Sequence, residues 1–227
     1  MNVCELPLAI PTLDEKNRIS LGEGNTPLIK SREIGRQLGL NSLYFKLETV
    51  SPTGSYKDRF AAFAISHMLK EGKNLCVATS SGNTGAALSA YCAAAKIRCV
   101  IAVVDGITQA KTQQMLSYGA ELYEIKNFGK DPQVTENTFE LIREQGDSEN
   151  ASFQISAYKF SPIGMAGVQK IAFELEKQLK TIDHIFCPAG GGGLTLSIAL
   201  GFENLLYMKK IDYFPIIHCF LTICYIG

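Results

Sequence analysis

At 227 residues, with 46% hydrophobic and 19% charged side chains, the chain can bury one substantial core or two modest ones and lacks the composition of a disordered segment. Lys plus Arg and Asp plus Glu both total 22, a balance that argues against a general nucleic-acid surface or a polybasic membrane face but leaves room for one local phosphate pocket. The seven cysteines (Cys4, Cys76, Cys92, Cys99, Cys187, Cys219 and Cys224) include no CxxC pair and no Cys/His cluster at zinc spacing, so zinc and disulfides are set aside and most should be buried free thiols. Without a signal-like N-terminus or an apolar run of membrane-spanning length, a reducing, cytoplasmic setting and no membrane partner are expected.

Short β-branched runs alternate with amphipathic or alanine-rich stretches along the chain. The first is Leu43–Leu47, followed by a helix from about Lys57 to Glu71, the run Leu75–Thr79 and a helix from about Thr84 to Ala95. Next come Arg98–Val104, a helix near Gln109 to Tyr118, Glu121–Ile125, and a helix from about Pro132 to Gln145. Ser152–Ser156, a long helix from about Pro162 to Leu179, and Asp183–Cys187 complete the series. This rhythm predicts βαβ units and an α/β fold with mostly parallel sheet. Gly39, Gly72, Gly119 and Gly146 each close a helical stretch, where a conformation outside the helical basin is expected. The texture breaks at Tyr158–Pro162, a plausible crossing between two lobes.

Three loops carry candidate chemistry. In Ser51-Pro-Thr-Gly-Ser-Tyr-Lys-Asp-Arg59, Ser55 and Asp58 fit a capping box with Lys57 in the first helical turn. The helix N-terminus disfavours an ammonium and favours the amine that attack on an aldehyde requires. A surface lysine bending back to water is the plainer alternative. The second loop, Ser80-Ser-Gly-Asn-Thr-Gly85, lies between a strand and a helix, where converging N–H groups suit a carboxylate or phosphate; an ordinary left-handed turn at Gly82 and Asn83 is as good a reading. In the third, Pro188-Ala-Gly-Gly-Gly-Gly-Leu194, each glycine costs roughly 0.5–1 kcal/mol relative to alanine in regular structure. Close backbone approach to a phosphate explains that cost better than a linker does. Neither nucleotide fingerprint fits, because Thr195 stands where the last glycine of GxGxxG would fall and no P-loop lysine follows.

These segments, in this order, resemble the fold-type II pyridoxal-phosphate enzymes, a family that includes threonine synthase, the threonine and serine dehydratases, tryptophan synthase β-chain and cysteine synthase. Leu21-Gly-Glu-Gly-Asn-Thr-Pro-Leu28 extends the likeness towards threonine synthase, whereas the glycine run and Ala166-Gly167 with Ile171-Ala172 look closer to the dehydratases. The resemblance implies pyridoxal 5'-phosphate as cofactor, two three-layer α/β/α lobes with mostly parallel sheets, and a small amino-acid substrate. It divides the chain into an N-terminal segment (1–44), a smaller lobe (45–157) and an incomplete larger lobe (158–227). Lys57 would hold the cofactor as a Schiff base and then shuttle protons at the substrate α-carbon. Asn83 would bond the cofactor 3′-oxygen, and Gly190, Gly191, Gly192, Gly193 and Leu194 would hold its phosphate. Ser81, Gly82 and Thr84 would receive the substrate carboxylate, and Tyr56 could pack near the ring or be an ordinary exposed aromatic. Asp58 and Arg59 read as helix cap and structural ion pair rather than catalysts, and no metal is assigned.

Lyase chemistry of the threonine synthase type is the leading expectation, with a dehydratase as the alternative. A homodimer is compatible with the family. The chain is short for it, and the apolar stretch Pro215–Gly227 reads either as one more buried strand or, preferably, as divergence from the family after about His218 by truncation, frameshift or an alternative transcript end. Cys219 and Cys224 are not assigned to the pyridine nitrogen. Two further classes stay open: a catalytically silent fragment that binds cofactor or a partner, and an α/β protein whose loops bind some other anion.

Overall fold

A computed structural model describes residues 10–221. Two short strands, Leu28–Lys30 (β1) and Tyr44–Lys46 (β2), pair antiparallel around the short helix Glu33–Gln37 (α1). The main run is Lys57–Lys70 (α2), Leu75–Thr79 (β3), Asn83–Ala95 (α3), Arg98–Val104 (β4), Gln109–Ser117 (α4), Glu121–Ile125 (β5), Pro132–Gly146 (α5) and Ala151–Gln154 (β6). It continues through Pro162–Ala166 (α6), Lys170–Gln178 (α7), His184–Ala189 (β7), Gly193–Tyr207 (α8) and Ile216–Leu221 (β8).

The predicted parallel sheet is present, four-stranded in the order β5-β4-β3-β6, and a second, two-stranded parallel sheet joins β7 to β8. Cys76, Val77 and Ala78 of β3 are buried in succession rather than alternately, as expected of a central parallel strand covered on both faces. The chain lays down β3, β4 and β5 towards one edge, then returns to place β6 on the other side of β3. That reversal is a topological switch point, and ligands of open α/β sheets bind beyond the strand C-termini at such points.

The core is continuous from the first helices to the last. Phe60, Ile65 and Met68 of α2 are at most 1% exposed and belong to one cluster with Tyr91, Met165, Ile198 and Leu205. Full burial of one such large apolar side chain stabilises by roughly 1.5–3 kcal/mol. Close helix approach shapes this core. A Cβ on Gly167 would lie 2.4 Å from the Arg59 carbonyl oxygen and 2.6 Å from the Phe63 ring, so only glycine lets this turn seat against α2.

Several sequence expectations change in detail. The helix expected over 162–179 is broken: α6 tightens into a 3-10 turn at Gly167–Gln169 where it meets α2, and α7 then resumes. Gly39, Gly72 and Gly119 do adopt positive φ after their helices, but Gly146 is the last residue of α5. Its lack of a side chain serves contact, because a Cβ there would meet Phe153 Cβ at 2.5 Å. Four of the five described cysteines are buried free thiols and Cys219 is exposed. Residues 222–227 of the apolar stretch lie outside the described part, while its beginning forms β8, whose Ile216 and Phe220 are exposed rather than buried. Among the described residues no helix is long and apolar enough to cross a membrane.

Candidate active site

Lys57 is the first residue of α2, as expected, but the capping box is not formed. The Asp58 carboxylate instead accepts from the Thr53 N–H (3.0 Å) and Thr53 hydroxyl (2.8 Å), tying down the loop before the helix. Ser55 Oγ accepts a long bond from the Lys57 N–H at 3.3 Å, and Tyr56 occupies the N-cap position. Asp58 therefore fixes the loop that delivers Lys57 rather than capping the helix that begins there.

The Lys57 ammonium has no carboxylate partner among the described residues. Its Nζ donates to Ser156 Oγ at 2.8 Å and lies 4.4 Å from the centre of the Tyr56 ring. Burial pushes its pKa down from 10.5 to about 8. The physical cause is thus desolvation of the charged form, which outweighs any gain from the ring face, and the surface-lysine reading is excluded. Tyr56 is half-buried, and burial first, then the field of Cys187, pushes its hydroxyl up to about 12.

Ser156 joins all three loops. Its hydroxyl also lies 2.7 Å from Thr84 Oγ1 in the second loop, and its carbonyl oxygen is 3.4 Å from where a Cβ on Gly193 would stand in the third. Ser156 follows β6 and Thr84 follows β3, so their contact spans the switch point itself. Sequence reading ended a strand at Ser156 without giving it a role. The available signal was its place at the C-terminal end of a parallel strand.

In the second loop the left-handed turn is absent: Gly82 has φ −143° and Asn83 begins α3. Ser80 Oγ accepts from the N–H groups of Gly82 (3.3 Å) and Gly85 (2.9 Å), while Ser81 Oγ accepts from Val104 N–H (2.9 Å). The Ser81 side chain therefore braces the loop against β4. The exposed Asn83 amide, and the N–H groups of Asn83 and Thr84, find no partner among the described residues. Gly85 is forced by space, since a Cβ would lie 2.5 Å from Met115 Sδ and 2.9 Å from the Ser80 carbonyl.

In the third loop Gly192 takes φ 75° to turn β7 into α8, which has no side-chain cap. Cβ atoms on Gly190, Gly191 or Gly192 would meet nothing within 4 Å, so this face of the loop borders open space, while Leu194 packs inward on the core. A largely buried amine without an ion pair among the described residues, two hydroxyls and two helix N-termini that keep N–H groups open form a donor set suited to an aldehyde that carries a phosphate. The residues present fit pyridoxal phosphate.

Arg59, two residues further along α2, serves a different purpose. Glu48 accepts from its Nε and Nη2 at 2.8 Å each, and Glu174 from its Nη1 at 2.6 Å. Lys46 adds a bond to Glu174 at 2.6 Å, and Thr26 Oγ1 donates to Glu48 at 2.7 Å. Burial would raise the Glu174 pKa, but the Arg59 and Lys46 bonds hold it at about 2. This network anchors the Gly24-Asn25-Thr26 turn to α2 and α7, which confirms the structural reading of Arg59. A hollow of about 390 Å³ opens beside it, lined by Glu23, Arg59 and Lys170, and does not reach Lys57.

The family described as "Pyridoxal-phosphate dependent enzyme" matches residues 19–218. The chain is 33% identical over 198 residues to threonine synthase of Halalkalibacterium halodurans, covering 86% of this chain and 53% of that protein. It is 30% identical to threonine synthase of Methanocaldococcus jannaschii, covering 91% and 49%. The chain thus spans about half the length of these curated relatives. The crystal structure of serine racemase from Dictyostelium discoideum superposes with a TM-score of 0.69 at 26% identity, covering 88% of this chain and 60% of that one. A buried unpaired lysine on the first turn of α2, two open anion-suited loops at strand ends, and a match along most of the length lead to one statement: the chain belongs to the fold-type II pyridoxal-phosphate dependent enzymes.

Proposed function

We infer that the chain carries the cofactor-binding machinery of a lyase acting on an amino acid, of the threonine synthase type, in which phosphohomoserine yields threonine and phosphate. The observation that carries this reading is Lys57 Nζ, largely buried, without an ion pair among the described residues, and held by Ser156 at the C-terminal end of the main sheet. When bound, the cofactor supplies an electron sink that acidifies the substrate α-proton. Lys57 is the amine that takes the cofactor aldehyde and, once freed by substrate, moves the proton at that carbon. Ser156 orients Nζ by hydrogen bonding, and Thr84 holds the Ser156 hydroxyl in turn.

In this reading the Asn83 amide bonds a ring oxygen, and the Gly190–Gly193 and Leu194 N–H groups hold a phosphate. Ser81, Gly82 and Thr84 take the substrate carboxylate, Ser81 through its backbone because its hydroxyl is committed to Val104, and Gly82 by exchanging its long bond to Ser80. In this reading 45–157 forms the smaller lobe and 158–227 part of the larger, completed to full size by chain that the relatives possess, and a homodimer is the expected assembly.

Gly190–Gly193 and Ala166-Gly167 favour a threonine or serine dehydratase as the second reading. Incubating cofactor-loaded protein with phosphohomoserine, threonine or serine separates the two. Release of inorganic phosphate with threonine supports the first, and a 2-oxo acid with ammonia from threonine or serine supports the second. Cofactor retention without turnover of any of them would make the chain a binding fragment and overturn both.

A further inference from the structure

No cysteine spacing in the chain points to a thiol site, yet the fold brings three sulfurs together. Cys76 on β3 and Cys99 on β4 are register partners in the parallel sheet, and Cys92 reaches them from α3. The three Sγ atoms lie within 4.8 Å of one another, and the residues are 0%, 4% and 0% exposed for Cys76, Cys99 and Cys92. Three separate elements each contribute one sulfur.

The environment selects what can bind. The three cysteines belong to the same hydrophobic core as Ala78, Leu88, Ile97 and Ile101, all buried. The polar neighbour is Ser89, whose hydroxyl donates to the Gly85 carbonyl at 2.7 Å. Hydrogen bonds from Cys76 and Cys92 lower Cys99, while bonds to Cys76 and Cys99 raise Cys92 well above its ordinary value. The charged group acting on the cluster is the Glu121 carboxylate, which opposes ionisation. A ligand must therefore accept three sulfurs without leaving net charge in this dry core, where an uncompensated charge is costly. A divalent zinc ion held by three thiolates would carry one negative charge, and among the described residues the group includes no fourth His, Cys, Asp or Glu to complete a tetrahedron.

We propose that Cys76, Cys92 and Cys99 form a capture site for a trivalent, three-coordinate thiophilic centre, for which arsenite is the probe. Three As–O bonds of As(OH)3 break and three As–S bonds form; each thiol proton leaves with a hydroxide as water, so three waters are released and nothing is oxidised or reduced. The product is neutral, as the core requires. Because the sulfurs are buried, entry needs α3 to lift locally from the sheet, so capture is slower than at the exposed Cys219. Once formed, the cross-link ties the starts of β3 and β4 to the last turn of α3, at the end of these elements away from the loop from Ser80 to Gly85.

The test uses reduced protein in which Cys4, Cys187, Cys219 and Cys224 are replaced by serine, so that only the cluster retains thiols. Intact-mass measurement and arsenic K-edge absorption should show one arsenic per chain with three sulfur neighbours, and the thermal midpoint should rise. Cys92→Ala should weaken binding about 10²-fold, because one of the three linked sulfurs is gone, and should abolish the rise. If Cys92→Ala does not fold, the sulfur count in the parent decides. Absence of bound arsenic, a first shell of only two sulfurs, or tighter binding of zinc than of arsenite would overturn the proposal.

Discussion

Lys57 and Arg59 stand two positions apart on the same helix, and their surroundings could hardly differ more. Arg59 is 2% exposed in its side chain and is bonded by two carboxylates, so its charge is balanced and immobile. Lys57 is also largely buried, yet its partners are the Ser156 hydroxyl and the Tyr56 ring. The difference teaches how to separate structural from reactive charge in one short segment. A buried cation with its full complement of anions holds the fold together, whereas one left unpaired is pushed towards the neutral, nucleophilic form.

The largest expected effect breaks the reactive side. Lys57→Ala should abolish covalent capture of pyridoxal phosphate while leaving the thermal midpoint equal or higher, since an unpaired buried ammonium has been removed; absorbance and melting of the two proteins check both halves. Arg59→Met should do the reverse. Leaving Glu48 without its cation and Glu174 with Lys46 alone should cost about 3–5 kcal/mol in denaturant unfolding. Equal destabilisation by both substitutions would erase the distinction.

Both regions should also respond to pH, in opposite ranges. Lys57 has a folded pKa of about 8 against an ordinary 10.5, so the unfolded chain binds more protons between those values. The penalty of burying its ammonium is fully present below pH 8 and fades as pH rises to 10.5, and the rate of cofactor capture should climb through pH 8 and then level. Glu174, held at about 2 against an ordinary 4.5, contributes stability that is complete above pH 4.5 and is lost as pH falls towards 2. Unfolding curves and capture rates across pH report the two groups separately. The smallest effect should come from Ser156→Ala, which removes one hydrogen bond from Nζ: capture should slow by about five- to tenfold, or about 1 kcal/mol, with stability little changed.

Much of this arrangement was legible in the sequence because its signals are local. Strand and helix patterns repeat over short windows, and the glycines at 190–193 and the Ser80–Gly85 turn mark loops by composition alone. What escaped depends on contacts across the chain. Ser156 sits in no motif, and its importance arises because β6 returns to the far side of β3 and brings it against Thr84 and Lys57. The capping box failed because Thr53 offers the Asp58 carboxylate two donors before the helix begins. The break at Gly167 reflects its approach to the Arg59 backbone, and the sulfur cluster exists only through the register of β3 with β4. Except at Thr53, which is five residues from Asp58, a partner far away in sequence settled the local choice.

We propose Lys57 as the residue to which the cofactor attaches. Protein incubated with pyridoxal phosphate, reduced with borohydride and cleaved into peptides should carry one fixed adduct, on the peptide containing Lys57. An adduct on another lysine such as Lys170, or no adduct while absorbance shows the cofactor bound, would contradict it.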